Sequence, residues 1–374
     1  MRFPVFVVLC AALLLNACSS AEVENSSPVH VSESGLRMEE LAGGLADPWG
    51  MDFLPDGTLL VTEKPGGLLW LDLASGERQA VTGVPESREI GQGGQLDVLV
   101  HPVDGEAPWI YLSYAVEKDG KYSTRVSRAR WAQGELTDLE VLFTALPYYS
   151  TKRHFGSRLL IHDGYLYFSV GDRANRDYAQ DLGRHNGKVM RLYPDGQVPA
   201  DNPFVGRADT QPEIWTYGHR NPQGMALNPV DGSIWVVEHG PRGGDEINRL
   251  VAGTNYGWPI ITYGQEYAGG KIGIGTHKEG MAQPQKYYVP SIAACGMDFY
   301  SGDLYPGWKD SFLIAALRGT HLNRVRVEGE DIGQEYRLFE DSQLRFRDVQ
   351  QGPDGYVYVL AGGDRLFRLL PSGG

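Results

Sequence analysis

Apolar positions along this chain do not recur at helical spacing. They come as pairs of short runs in which apolar and polar residues alternate, with a turn between the two runs. Six segments repeat this layout, at 48–63, 94–114, 156–172, 222–239, 295–317 and 347–363. Their turns usually contain Asp-Gly or Pro, and Asp-Gly between alternating apolar runs is a strong hairpin signal because the tight turn needs positive φ. Starts fall roughly 45 to 75 residues apart, which suits four-stranded blades with insertions. No segment carries a 3.6-residue pattern long enough to cover a parallel sheet, which argues against a doubly wound α/β fold. The pattern predicts an all-β chain, a six-bladed β-propeller of four-stranded antiparallel blades; an open pair of β-sandwiches is the alternative. The last repeat runs out near Leu370 with about three strands. The run Leu36–Leu45 is therefore expected to complete that blade and protect its edge.

The first residues break the alternation. Arg2 precedes an apolar run from Phe3 to Leu15, which ends in Asn16-Ala17-Cys18. This reads as a lipoprotein-type signal peptide over 1–17, with Cys18 as the lipidation site, a flexible tether over 18–34 and the propeller over 35–372. The apolar run is short for a membrane span, so membrane attachment is expected only through the lipid, in the periplasm. With Cys10 in the signal and Cys18 lipidated, Cys295 stands alone, so no disulfide framework is expected. The net charge of −13 argues against nucleic acid as a partner, which calls for a basic face.

Charge is concentrated where the alternation is interrupted. The stretch 213–259 crowds Arg220, Asn221, His239, Arg242, Asp245 and Glu246 between glycines and prolines, and loops on a rigid scaffold are where binding groups gather. Long insertions follow the third and fourth hairpins and should collect around the axis on one face. His154 stands just before the third inner strand, placed to point at the axis. A histidine titrates near neutrality and can act as a general base; an ordinary core or surface histidine is the plainer reading. Arg220, Arg318, Arg345 and Arg347 stand beside inner strands of different repeats. Each alone is an ordinary surface arginine, but converging guanidinium groups suit a ligand with several carboxylates.

The motifs His154-Phe155-Gly156-Ser157-Arg158-Leu159, Gly218-His219-Arg220-Asn221-Pro222-Gln223-Gly224, Glu238 to Asn248 and Asn255-Tyr256-Gly257-Trp258-Pro259 resemble the soluble quinoprotein sugar dehydrogenases. The likeness is strongest to the aldose sugar dehydrogenases dependent on pyrroloquinoline quinone (PQQ), and runs from about Asp47 to Leu370. That family is a six-bladed propeller. The resemblance implies an enzyme that oxidises aldose sugars at C1 to lactones, with His154 as base and hydride passing to PQQ. It implies that Gln92, Arg220, Asn221 and Tyr267 contact the cofactor, while Arg345, Arg347 and Arg318 face its carboxylates. It implies calcium (Ca2+) at the carbonyls of Gly240 and Pro241, and a second, structural calcium at Glu246 and Tyr256. The plainer alternative for Glu246 is a loop carboxylate capping backbone amides. Two positions depart from the family. Arg153 stands where soluble glucose dehydrogenases carry an acid, which removes a neighbouring carboxylate from the base, and Arg318 stands where lysine is frequent. The electron acceptor is left open. A metal-dependent propeller lactonase, or a sugar-binding propeller without catalysis, are the rival readings; the lactonase calls for a carboxylate cluster on the axis.

Overall fold

The computed structural model describes residues 1, 29–31 and 35–371. The expected signal peptide, Cys18 and most of the expected tether lie outside these residues.

Among the described residues the strands form six sheets, each traced from the axis outward. Blade 1 has Pro48–Phe53, Leu59–Glu63, Gly67–Leu71 and Arg78–Ala80. The inner strands of blades 2 to 6 are Gln95–Val103, Leu159–His162, Pro222–Asn228, Ala294–Tyr300 and Phe346–Gln351. All neighbouring strands within a blade pair antiparallel, and the inner strand of the sixth blade packs against that of the first. These inner strands start where the alternating repeats start. Helix among the described residues is limited to two short 3-10 turns, Arg176–Ala179 and Glu340–Ser342. No helix among them is long and apolar enough to cross a membrane.

The ring closes as the hydrophobic pattern requires. Arg37–Ala42 pairs with Arg365–Leu370, with Arg37 opposite Leu370 and Met38 opposite Leu369. Met38 is fully buried in an apolar cluster with Leu369, Phe367 and Val359. Outside it, Val29–Val31 adds a further strand within the stretch read as a tether.

Alternation along each strand leaves apolar residues on both faces of a blade, and these meet their neighbours. Separate clusters fill the gaps between blades 1 and 2 (Leu60, Leu112), 2 and 3 (Val126, Phe168), and 3 and 4 (Val189, Val236). Others fill the gaps between blades 4 and 5 (Trp235, Phe312), 5 and 6 (Leu313, Val359), and 6 and 1 (Leu360, Val61). Near the axis the staples are polar. Asp52 accepts a hydrogen bond from Val100 N–H at 2.7 Å, Asp97 from Leu159 at 2.8 Å, Asp298 from Gln351 at 2.7 Å and Asp348 from Met51 at 3.1 Å. Each bond runs from one inner strand to the next. Arg158 joins Asp97 and Asp348 across the axis, both at 2.9 Å.

A blade's first and third connections open on one end of the axis; its second connection and the crossing to the next blade open on the other. Gln92, His154, Arg220, Asn221 and Arg345 lie in crossings between blades, while Gly240, Pro241 and Arg318 lie in second connections. Topology alone thus brings them to one face. The insertion at 171–187 is also a second connection, within blade 3. The insertion at 250–285 departs from the expected arrangement: it is the third connection of blade 4 and starts from the opposite end. It climbs back beside blade 3, with Asn255 bridged parallel to Tyr217 and Trp258 N–H donating to Gly218 O at 2.9 Å.

Candidate active site

The site is built on a turn that the backbone would not choose unaided. Between blades 2 and 3, His154 sits at φ 55°, Gly156 at 66° and Ser157 at 92°, a left-handed region costly to residues with a Cβ. Gly156 has no alternative, since a Cβ there would lie 2.7 Å from Gly171 N. Several bonds over-determine the turn. His154 N–H donates to Gln92 Oε1 at 2.7 Å, and Gly156 N–H to Asn221 Oδ1 at 3.1 Å. The buried Arg173 guanidinium donates to Arg153 O at 2.7 Å and Thr151 O at 2.6 Å, and lies 3.4 Å over the Phe155 ring. Because backbone donors engage the carbonyl ends of Gln92 and Asn221, their amide NH2 groups are the ends left for a ligand.

The His154 ring is 2.6 Å from Asp172 through Nδ1, leaving Nε2 for the cavity. Asp172 accepts from Trp258 Nε1 at 2.8 Å and from Ala174 N–H at 2.7 Å, so both of its oxygens are engaged. The expectation of a base without a neighbouring carboxylate is thereby corrected: the acid comes from the exit of the second strand of blade 3, not from position 153. Burial pulls the His154 pKa below its ordinary value; the Asp172 carboxylate opposes this, and Arg220 and Arg173 add to it. Burial alone would raise Asp172, but the hydrogen bond and charge of His154, with Arg220, hold it below the usual carboxylate range. The pair is thus an ionised carboxylate holding a neutral imidazole near pH 7.

Below His154 lies a chamber of about 330 Å³, lined by Gln92, Asn221, Gly240, Pro241, Tyr267, Arg220, Arg318, Arg345 and Arg347. It shares Gln92, His154, Arg220, Pro241 and Tyr267 with a wider vestibule of about 790 Å³; both volumes suit a small-molecule site. Arg220, Arg318, Arg345 and Arg347 make no ion pair among the described residues. Arg220 instead donates to the carbonyls of His239 at 2.8 Å and Gly240 at 3.0 Å, with Tyr267 Oη 3.5 Å away. Four unneutralised guanidinium groups around one chamber form a receptor for a polyanion. His239 adds no further charge, since burial, followed by Arg220 and Arg347, drives its pKa well below the ordinary value.

Glu246 and Tyr256 do not reach that chamber. They flank a separate cavity of about 10 Å³ behind Arg220 and Gly240, with room for about one ion or water. The Tyr256 hydroxyl donates to Arg249 O at 2.6 Å and accepts from Val251 N–H at 2.9 Å, and its ring stacks on His219 at 4.7 Å. Glu238 lines the same cavity. It accepts from His219 Nδ1 at 2.8 Å and from Arg220 N–H at 2.6 Å. Glu246 accepts from Asn248 Nδ2 at 3.3 Å. Burial, and next the charge of Glu238, raise the Glu246 pKa well above its ordinary value. A buried carboxylate, Glu238, beside a half-buried one, Glu246, with no Lys or Arg side chain bridging them, is a place a cation would fit.

Asp172 and Arg173 are not singled out by the sequence pattern, and Glu238 and Trp258 stand in its motifs without an assigned role. Asp172 and Glu238 hold the same place, at the exit of the second strand of their blades, and a search of strand exits on the histidine's face would have found both. The axial carboxylates Asp52, Asp97, Asp298 and Asp348 are engaged by backbone amides of adjoining strands, and no group of three or more His, Cys, Asp or Glu among the described residues is arranged to hold a metal.

Comparison with known proteins gives one consistent family. The model for glucose/sorbosone dehydrogenase matches residues 45–368. The chain is similar to an aldose sugar dehydrogenase, YliI, of Escherichia coli (strain K12), 41% identical over 342 residues, covering 90% of this chain and 92% of the relative. It is 28% identical over 433 residues to quinoprotein glucose dehydrogenase B of Acinetobacter calcoaceticus, covering 92% and 89%. The crystal structure of the soluble aldose sugar dehydrogenase from Escherichia coli, in its apo form, superposes with a TM-score of 0.87 at 40% identity, over 90% of this chain and 99% of that one.

Proposed function

The chain belongs to the glucose/sorbosone dehydrogenase family, whose named relatives are sugar oxidoreductases, and from that premise we propose that it oxidises aldose sugars at C1 to lactones with PQQ and calcium. The observation that carries this reading is the chamber of four unpaired arginines directly beneath a buried, carboxylate-held histidine. PQQ has three carboxylates on a flat quinone, which Arg318, Arg345 and Arg347 would hold; Arg220 and the amide ends of Gln92 and Asn221 would donate to its quinone oxygens. The carbonyls of Gly240 and Pro241 would hold calcium, which takes oxygen ligands. Glu246 with Glu238 would hold the second calcium, since an uncompensated carboxylate pair fits a hard cation.

When bound, PQQ would supply the hydride acceptor for the sugar's C1 and calcium would supply Lewis-acid polarisation. The chain's own residues do the rest. His154 Nε2 takes the proton of the anomeric hydroxyl. Asp172 fixes the tautomer that leaves Nε2 unprotonated and stabilises the imidazolium that results. Trp258 holds Asp172 from behind, and the closed turn at His154 keeps the ring over the chamber.

Reconstitution of the protein with calcium and PQQ, followed by glucose oxidation with a dye acceptor, tests the reading; failure to bind PQQ sinks it. His154→Gln is expected to abolish turnover and retain PQQ binding. The N-terminal pattern supports export and lipid attachment at Cys18 in the periplasm, which palmitate labelling of wild type against Cys18→Ser would detect.

A further inference from the structure

One charge at the vestibule is used neither by the cofactor chamber nor by the base. Arg153 adjoins His154 in sequence and lines the vestibule. Its carbonyl is held by Arg173 at 2.7 Å, so its main chain is anchored, yet its guanidinium is exposed and pairs with no group among the described residues. The other vestibule charges are accounted for: Arg220 is turned to the carbonyls of His239 and Gly240 and to the cofactor chamber it also lines. Arg176 is held by Glu266 in a two-pronged pair at 2.6 and 3.2 Å, and Asp172 is buried under His154 and Trp258. The unmatched charge on the substrate side of His154 is therefore positive.

Resting on the dehydrogenase reading, we propose that Arg153 forms a subsite for an anionic group on the aldose, so that the enzyme favours sugars carrying a carboxylate or phosphate at the end remote from C1. A pyranose with its anomeric hydroxyl at His154 Nε2 places its far substituent one ring width away, within the span of an arginine rooted at the preceding residue. The net charge of −13 opposes an anion only at long range, because charges beyond the Debye length of about 8 Å are screened at physiological salt. At contact distance the guanidinium decides. Exposed ion pairs are weak, so the effect is a preference and not an absolute requirement.

The test uses the full chain loaded with calcium and PQQ. Binding of glucuronate, glucose 6-phosphate and glucose is measured by calorimetry, with dye-linked turnover in parallel. Glucuronate should bind roughly two- to fivefold more tightly than glucose in low salt, the scale of an exposed ion pair. That margin should vanish in Arg153→Gln and in high salt, while glucose affinity and turnover are unchanged in the variant. Tighter binding of glucose 6-phosphate alone would assign the subsite to phosphate and not carboxylate. Equal binding of all three sugars, or a margin that survives in Arg153→Gln, overturns the subsite. Absence of turnover with every sugar counts instead against the dehydrogenase reading, and the binding ratios still decide the subsite.

Discussion

At the scale of single residues the site depends on a carboxylate that acts through its neighbour. Asp172→Asn would keep the shape but can donate to Nδ1, which favours the tautomer with its proton on Nε2. Turnover is expected to fall about a hundredfold or more, in the range by which general bases accelerate. The sign of the pH effect follows from the groups around the ring. In the wild type the acid limb of turnover should lie below the ordinary histidine value, because burial depresses His154. Removing the Asp172 charge removes the main opposing influence, so whatever activity the variant retains should persist to still lower pH. A pH profile of both proteins decides this; an acid limb moving upward would contradict it. His154 and Arg220 could be read from sequence because they sit in short local motifs, and Arg318, Arg345 and Arg347 because of their place in the repeats. Asp172 could not, because only the pairing of strands within blade 3 brings it to a residue eighteen positions earlier.

Among the elements, the hairpins and the closing strand were legible, since strand alternation and Asp-Gly turns are local properties. The course of the 250–285 insertion was not. Its irregular backbone follows blade 3 through bonds such as Tyr256 N–H to Tyr217 O, for which no periodicity exists. The closing strand can be tested by packing. Met38 is wholly buried between blades 5 and 6, so Met38→Ala should cost roughly 2–5 kcal/mol, as core truncations do. A lowered melting temperature with unchanged PQQ affinity is the expected result. The inner strands have a second fastening in their aspartates, and burial raises Asp298 to about 6. Its folded value exceeds its unfolded one. The stabilisation it gives is therefore full in acid and declines as pH rises through about 6. Asp298→Asn should accordingly lose most stability in acid, below the ordinary carboxylate value of 3.8, with a smaller deficit above about pH 6, measured as the difference in melting temperature from wild type.

For the molecule as a whole, a cation held by Glu238 and Glu246, as proposed above, would couple folding to its own binding. A ligand that binds only the folded state raises its stability with concentration. Calcium should raise the melting temperature of the protein even without PQQ. Chelation should reverse the rise, and Glu246→Gln should blunt it. A melting temperature indifferent to calcium in wild type would remove the metal from this cavity.

The strand Arg37–Ala42 lies between Val29–Val31 and Arg365–Leu370. Every strand of blades 1 to 5 stands between these two partners in sequence. Ring closure therefore rests on long-range pairing, which must meet its loop-closure entropy before any contact rewards it and is slow for that reason. Met38 gains its buried place only when the two ends of the propeller meet.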